Sequence, residues 1–255
     1  MKRTSATIKA LTLLLLVSFH SLSKAETIQI ASGEYPPWTS QSLPGGGYIN
    51  HLVSEAFKLH NIDVKFDYLP WKRALEATRI GNYHATSFWG ESEERRQDFL
   101  HSQTIENIYF VFFYTKKRFN GPFKWQSLDE LGRLKIGATR SYTYNDEFWR
   151  LYKQDRLRVS ISNTDIDNLR KLISGTIDLF PISEFTGKYL LHRNFSPAEI
   201  ESIGINTKAL SEGKNYILFS KTQPDSQYYL NILNAGLEAL RQEGKFRIFQ
   251  EEMFK

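Results

Sequence analysis

The sequence predicts an α/β fold built on a parallel-rich sheet. Segments with strand character alternate with amphipathic helical segments along the chain, an order typical of parallel strands linked by helices. The chain has 255 residues, 41% of them hydrophobic, enough for one large domain or two small ones. A weak internal repeat favours two similar lobes, because residues 75–84 and 172–178 each read as a helix, a glycine, two residues and a strand.

Residues 1–25 have the pattern of a secretory signal peptide. A basic start precedes an apolar run over residues 10–19, which is too short to span a bilayer. Small residues, Ser23 and Ala25, stand just before a predicted cleavage site. We expect export to the periplasm and a mature chain that begins at residue 26. An uncleaved membrane anchor is the alternative.

Charge and cysteine content narrow the classes of function. The formal net charge is +5, and residues 1–25 carry four basic and no acidic side chains. The predicted mature chain is therefore almost neutral, which does not favour nucleic-acid binding. The chain has no cysteine, which excludes disulfides, thiolate metal sites and a lipid-anchored cysteine.

The first half of the chain alternates strands with helices. A strand over residues 27–31 leads to Tyr35, two prolines that stop regular structure, and Trp38. Apolar spacing then predicts a helix, a strand, a second helix ended by Gly81 and a third strand, over residues 49–57, 63–68, 71–78 and 84–88.

The second half repeats this alternation. After a strand at 108–115, the pattern predicts a helical turn, a strand, a helix, a strand, a helix ended by Gly175 and a buried strand, over residues 127–132, 134–138, 144–154, 159–161, 164–173 and 177–182. Ser196 followed by Pro197 indicates a helix start. The last predicted elements are a strand, a long amphipathic helix and a short terminal helix, over residues 216–220, 229–240 and 246–253.

Residues 87–99 are the stretch with the clearest chemical character. They join the end of the third predicted strand to a polar turn that carries Arg95. Backbone N–H groups at such a junction favour an anion, and an arginine can hold a carboxylate through two parallel hydrogen bonds. Phe88 and Trp89 supply an apolar wall. We expect a small anionic or zwitterionic ligand here. A surface ion pair with Glu91 is the alternative for Arg95.

The order of motifs over the whole mature chain resembles family 3 of the periplasmic solute-binding proteins, the amino-acid-binding type. The resemblance is carried by Tyr35-Pro36-Pro37-Trp38, Trp71, Ser92-Glu93-Glu94-Arg95 with Asp98-Phe99, residues 127–137, residues 175–178 and residues 237–244. It implies a type II two-lobe fold in which two crossover strands join the lobes and the ligand lies in the cleft between them. Lobe 1 would comprise residues 26–105 and 215–255, and lobe 2 residues 106–214. The hinge would lie near residues 103–107 and 212–215.

The resemblance also implies a set of ligand-binding residues. Arg95 would grip the ligand's carboxylate, Tyr35 and Trp71 would be cleft aromatics, and Tyr142 or Thr143 would meet the carboxylate at a lobe 2 helix start. Further candidates are Ser87, Phe88, Trp89 and Arg140. Phe88 and Trp89 stand where the family has small hydroxyl-bearing residues.

The contact with the ligand's ammonium group departs from the family pattern. The family's acidic residue falls at Ser183 in this chain, and Glu184 is next to it. Glu184 is therefore the candidate for that contact. The expected ligand is a small carboxylate-bearing solute, an amino acid or a derivative.

The expected function is solute binding for an ABC-type transporter, by a monomer that delivers its ligand to a membrane permease. One alternative is a ligand-sensing subunit of a receptor or kinase. Another is a dehydratase-like cleft enzyme that uses Glu184 with Arg95. The six histidines lack metal-binding spacing, and the chain has no P-loop, nucleophile elbow or dinucleotide fingerprint. We therefore expect no enzyme activity, no cofactor and no metal.

Overall fold

The fold is a mixed α/β arrangement around one nine-stranded sheet. The computed structural model describes residues 26–140, 142 and 144–255, so the predicted signal peptide and Thr143 lie outside the described residues. The strands are β1 (Glu26–Ser32), β2 (Ile62–Tyr68), β3 (Ala85–Gly90), β4 (Phe99–His101), β5 (Glu106–Thr115), β6 (Lys135–Thr139), β7 (Arg158–Ser162), β8 (Leu179–Ser183) and β9 (Ile203–Ser220).

Helices connect most of these strands, and two helices follow the last strand. The helices are α1 (Tyr48–Lys58), α2 (Trp71–Arg79), α3 (Glu93–Asp98), α4 (Asp146–Lys153), α5 (Asp165–Ser174), α6 (Glu184–Asn194), α7 (Pro197–Glu201), α8 (Ser226–Gln242) and α9 (Lys245–Glu252). Short 3₁₀ turns cover Pro44–Gly46, Lys116–Arg118 and Asp129–Arg133. Within the ranges that the structure describes, no helix combines the length and the apolar character that a bilayer span requires.

The sheet contains the same parallel unit twice. The strand order is β2-β1-β3-β9-β5-β8-β6-β7, with β4 paired to β9. The first unit consists of β1, β2 and β3, and β1 lies between the other two and parallel to both. The second unit consists of β6, β7 and β8, and β6 has the same central place. The long strands β5 and β9 run antiparallel between the two units. The predicted α/β fold is therefore confirmed, and the two parallel units correspond to the internal repeat. The sheet is mixed and not parallel-rich, because every pairing of β5 and β9 is antiparallel.

Hydrophobic clusters surround each unit. The cluster at the first unit includes Ile30, Leu52 and Leu237, which come from β1, α1 and α8. At the second unit the side chains of β5 alternate between two clusters, with Phe112 in one and Phe113 in the other. Because successive side chains of a strand point to opposite faces, this half of the sheet is covered on both sides.

The start of helix α6 contacts the first unit away from the strands of the sheet. Phe185, on α6, packs in the first cluster, and its ring centroid lies 4.8 Å from that of Trp38. The indole N–H of Trp38 donates a 2.8 Å hydrogen bond to Oγ1 of Thr186. The start of α6 is therefore anchored in the core of the opposite unit.

Most predicted elements are present with shifted ends, but the short strand β4 was not predicted. The strand predicted over 216–220 is only the end of β9, which begins at Ile203. Helix α6 was not predicted. The third strand was expected to stop at residue 88, but β3 continues to Gly90, with an irregularity in its pairing to β9 at Phe88. Such a bulge re-aims neighbouring side chains.

Candidate ligand-binding site

A cavity of about 1010 Å³ lies at the ends of the parallel strands. Residues that follow four of these strands line it, namely Glu34 and Tyr35 after β1, Glu91 and Ser92 after β3, Arg140 and Tyr142 after β6, and Asn163, Thr164 and Asp165 after β7. Strands β5 and β9 contribute further lining residues, among them Phe110 and Asn215. Carboxyl ends of parallel strands are the usual place for a ligand in α/β sheets, so this cavity is the candidate site.

Arg95 enters the cavity from the first turn of α3. Ser92 caps this helix, with its hydroxyl accepting a hydrogen bond from the Arg95 backbone N–H. The guanidinium donates from Nη1 to the carbonyl oxygen of Gly90 at 2.6 Å and lies 5.0 Å from the Trp89 ring centroid. Its Nε is buried without a hydrogen-bond partner among the described residues.

The Arg95 guanidinium carries its charge without an acidic partner in the part of the chain that the structure describes. Glu91, the partner expected in the alternative interpretation, forms its ion pair with Arg96 instead. Burial lowers the pKa of Arg95, and the more distant charge of Glu94 raises it. An arginine that is partly desolvated and unpaired, with a free N–H, is suited to a ligand carboxylate.

Two tryptophans form an aromatic wall beside Arg95. The Trp71 and Trp89 rings meet edge to face at a centroid distance of 5.2 Å. The Trp89 indole N–H donates to Oγ1 of Thr86 at 3.0 Å, and that of Trp71 donates to the Glu34 carbonyl at 3.3 Å. Both side chains line the cavity, and these hydrogen bonds fix their rings.

Phe88 lies partly behind this wall. Its ring stacks on Trp38 at a centroid distance of 5.4 Å, and the residue is only 5% exposed. Phe88 still borders the cavity. It therefore contributes both to the core of the first unit and to the cavity's apolar surface.

Asp165 is an acidic side chain that borders the cavity from the second unit of the sheet. Its Oδ1 accepts a 2.5 Å hydrogen bond from Oγ1 of Thr139, and its Oδ2 accepts a 2.8 Å bond from the Tyr142 hydroxyl. Burial raises the pKa of the Asp165 carboxyl, while these two hydrogen bonds lower it. No described basic side chain forms an ion pair with Asp165, so its charge is unbalanced locally.

Tyrosine and phenylalanine rings surround this carboxylate. Tyr142 lies 6.3 Å from Tyr35, 6.0 Å from Phe110 and 5.9 Å from Tyr144, measured between ring centroids. Burial raises the pKa of the Tyr142 hydroxyl, and the neighbouring Tyr35 and Asp165 raise it further. All four rings border the cavity, and we call this group the aromatic cluster.

Arg140 also borders the cavity, at its solvent side. The residue is exposed, and its Nε donates to Oδ1 of Asn163 at 2.9 Å. Arg140 directly follows β6 and lies at the cavity, where the sequence analysis expects a ligand-binding residue. For Thr143, which lies outside the described residues, the role stays a prediction.

Two predicted site residues do not reach the cavity lining. Ser87 is fully buried beneath it, where its Oγ lies 3.0 Å from Oγ of Ser32 and 2.9 Å from Oδ1 of Asn50. Glu184 begins α6 and forms an ion pair with Lys188 at 2.5 Å. It borders a separate, smaller cavity of about 370 Å³. The structure thus does not bring Glu184 together with Arg95.

Sequence reasoning missed Asp165, Phe110 and Tyr144. The signal for Asp165 was available, because it follows a predicted strand and stands beside the capping residue Thr164. Phe110 and Tyr144 lie in segments that read as core. Within the described ranges, no group of three or more histidine, aspartate or glutamate side chains is placed to hold a metal ion.

Known structures with the same fold cover nearly the whole chain. A probable amino-acid ABC transporter extracellular-binding protein from Bacillus subtilis aligns with a TM-score of 0.73 at 14% identity, over 90% of this chain and 98% of that chain. A histidine kinase sensor domain with similarity to periplasmic binding proteins aligns at 0.66 and 20% identity, over 89% and 95%. An amino-acid ABC transporter substrate-binding protein from Streptococcus pneumoniae, bound to L-arginine, aligns at 0.66 and 15%, over 89% and 94%.

These alignments confirm the predicted fold class, the two-lobe type II fold of the periplasmic binding proteins, with a cleft between lobes joined by crossover strands. The neighbours include amino-acid-binding proteins of the type that the motif order resembles. At such identities a structural likeness shows the fold and not the ligand. A scan against protein-family models gives no match, and a search of curated proteins gives none either.

Proposed function

We propose that the protein is a solute-binding protein that captures a small carboxylate-bearing solute, an amino acid or a derivative, and presents it to an ABC-type transporter. The observation that carries this proposal is the Arg95 guanidinium, which lies in the cavity with a buried, unpartnered Nε and no acidic partner among the described residues. A ligand carboxylate would complete its hydrogen bonds and compensate its charge.

Ligand capture in this proposal depends on closure of two lobes. We take lobe 1 as residues 26–105 and 215–255 and lobe 2 as residues 106–214. Because lining residues come from both, a bound ligand touches both lobes and favours the closed state. Closure near residues 103–107 and 212–215 buries the ligand, and the membrane partner recognises the closed form.

The proposed location is the periplasm, reached through the signal peptide at residues 1–25. The partner in that compartment is a membrane permease, and the binding protein is a monomer. The named neighbours are binding proteins or a sensor domain, which supports a binding role without catalysis. The dehydratase-like alternative needs Glu184 beside Arg95, and Glu184 does not line the cavity.

A sensing role is the second candidate, because a histidine kinase sensor domain shares the fold over 89% of this chain. Both roles use the same cleft and differ in the membrane partner. Crosslinking of the ligand-bound protein to membranes of its own cells separates them. Recovery of a permease supports transport, whereas recovery of a kinase or chemoreceptor supports sensing.

The first test is a ligand screen with the mature protein, residues 26–255. The protein is first unfolded and refolded to remove carried-over ligand. Its Tm is then measured with each member of a panel of amino acids, dipeptides, keto acids and polyamines. A ligand at about 100 times its Kd adds roughly 2.7 kcal/mol to the free energy of unfolding, which raises Tm by several degrees in a chain of this size. Binding of polyamines alone would contradict the proposal.

Arg95→Ala tests the residue that carries the proposal. Removal of one partner of a buried charge pair costs about 2 kcal/mol or more, so calorimetry should show roughly 30-fold or greater loss of affinity for the carboxylate ligand. Arg150→Ala is the matched control, since Arg150 is an exposed arginine outside the cavity. Equal affinity of the wild type and Arg95→Ala would rule out the proposed role.

A further inference from the structure

Two charged side chains of opposite sign border the same cavity without an ion-pair partner among the described residues. Arg95 enters from the first unit and Asp165 from the second, and neither forms an ion pair among the residues that the structure describes. Partly desolvated charges are costly unless they are compensated. A ligand with a carboxylate at one end and a cationic group at the other would compensate both. This step rests on the proposed function, which assigns the carboxylate to Arg95.

The surroundings of Asp165 favour an organic cation over a metal ion or a single hydrogen-bond donor. The aromatic cluster of Tyr35, Phe110, Tyr142 and Tyr144 borders the cavity beside it. The Asp165 charge raises the pKa of the three tyrosine hydroxyls, with burial as the larger cause in each case. Aromatic faces next to a carboxylate attract organic ammonium groups, which is how aromatic cages bind quaternary ammonium ligands.

The hydrogen bonds of this region distinguish between kinds of ammonium group. Each oxygen of Asp165 already accepts a bond, from Thr139 or from Tyr142. The Tyr144 hydroxyl already accepts from the Thr139 backbone N–H at 2.8 Å. Each Asp165 oxygen can accept one further bond, so the carboxylate still offers about two acceptor positions. A primary ammonium group has three N–H bonds to satisfy, one more than this carboxylate can accept, whereas a quaternary ammonium group has none.

We infer that the ligand is a zwitterion whose carboxylate lies on Arg95 and whose quaternary ammonium group lies against Asp165 and the aromatic cluster. Asp165 is then the residue that selects the charge of the ligand's second end. It takes the place of Glu184, which the sequence suggested for the cationic group and which borders the other cavity.

The test uses pairs of probes that differ in one charge. Trimethylammonio carboxylates with two to six carbons in the acid chain are compared by calorimetry with their tert-butyl isosteres, in which carbon replaces the ammonium nitrogen. The ω-amino acids of equal length form a third series. We expect one chain length at which the trimethylammonio acid binds about tenfold or more tightly than both of its counterparts.

Asp165→Asn separates charge recognition from fit. The amide keeps the shape of the side chain and removes its charge, so the preference for the trimethylammonio acid over its isostere should fall close to unity. Asp167→Asn is the control, because Asp167 lies in the same first helical turn, outside the cavity lining. It should leave the preference unchanged. Circular dichroism and Tm of each variant show whether it is folded.

Distinct outcomes overturn the inference and the proposed function. If the isosteres bind as tightly as the trimethylammonio acids, or if no trimethylammonio acid binds, the inference is wrong. Tighter binding of the ω-amino acids also overturns it, as does an Asp165→Asn variant that keeps the preference. Carboxylate binding that requires Arg95 would still support the proposed function in each of these cases. If no carboxylate of any series binds, the proposed function fails as well.

Discussion

Arg95 and Arg96 are adjacent in the sequence and have different environments. Arg96 is exposed and forms an ion pair with Glu91. The Arg95 guanidinium instead lies against the face of the Trp89 ring and donates a hydrogen bond to the Gly90 carbonyl. Successive residues of a helix point about 100° apart, so only one of the two can face the cavity. The Glu91–Arg96 pair also removes a competitor for Arg95. A change at Arg96 is therefore expected to alter ligand affinity indirectly, through Glu91.

Gly33 holds Trp71 at the cavity wall. A Cβ at position 33 would overlap the Trp71 indole ring, so Gly33→Ala should displace the ring and weaken ligand binding by up to about tenfold. Tryptophan fluorescence and calorimetry measure the two effects. The double variant with Trp71→Ala should bind no more weakly than Trp71→Ala alone. Additive losses would mean that Gly33 acts through something other than Trp71.

Site residues predicted beside strand ends border the cavity, whereas the acidic residue predicted from motif spacing does not. Tyr35, Trp71, Trp89 and Arg95 border the cavity, and their segments carried readable signals of proline, aromatic and arginine residues beside strands. The prediction that Glu184 binds the ligand rests on its distance in sequence from the motif at residues 175–178. Ser183 acts as the cap of α6, and one residue later the helix directs Glu184 toward Lys188. The direction of a side chain at a helix start depends on how that helix docks, which spacing does not specify.

Elements were predictable where one face of a segment is apolar. Helices α1 and α8 have such faces and were found. Helix α6 buries Phe185, Tyr189, Leu190 and Leu191, which lie around more than one side, so it lacks the periodic stripe of a surface helix. The first part of β9 is rich in polar residues, and its pairing with β5 between Ile203 and Asn215 depends on a partner distant in the sequence. Such pairing is a tertiary effect that local propensity does not contain.

The N-terminus of α5 positions Asp165 and can be tested through its cap. The Thr164 hydroxyl accepts from the Asp167 backbone N–H at 3.2 Å. Thr164→Ala should lower the free energy of unfolding by roughly 1 kcal/mol, a fall in Tm of about 2–4 °C for a chain of this length. Thr164→Ser retains a hydroxyl that can cap and serves as the control. An unchanged Tm in Thr164→Ala would mean that the cap does not stabilise this helix.

On the scale of the whole molecule, β5 and β9 carry every strand pairing that links the two units among the residues that the structure describes. Glu106 begins β5 and pairs with Asn215 at the level where the chain passes between the proposed lobes. Its carboxylate accepts from the Tyr48 hydroxyl at 3.0 Å and from the Asn107 backbone N–H at 3.1 Å. A change at Glu106 is therefore expected to affect both the free energy of unfolding and the movement of the proposed lobes.

Glu106 gives the molecule a stability that depends on pH. Burial raises the pKa of the Glu106 carboxyl above its ordinary value of 4.5, against opposing hydrogen bonds. Its stabilising contribution is therefore complete below pH 4.5 and is lost as the pH rises through the folded-state pKa. Glu106→Gln stays neutral, so the Tm difference, variant minus wild type, should grow between pH 4.5 and neutral pH. Exposed Glu243→Gln should show no such growth. A constant or shrinking difference in Glu106→Gln would contradict this account, and calorimetric scans across the pH range decide it.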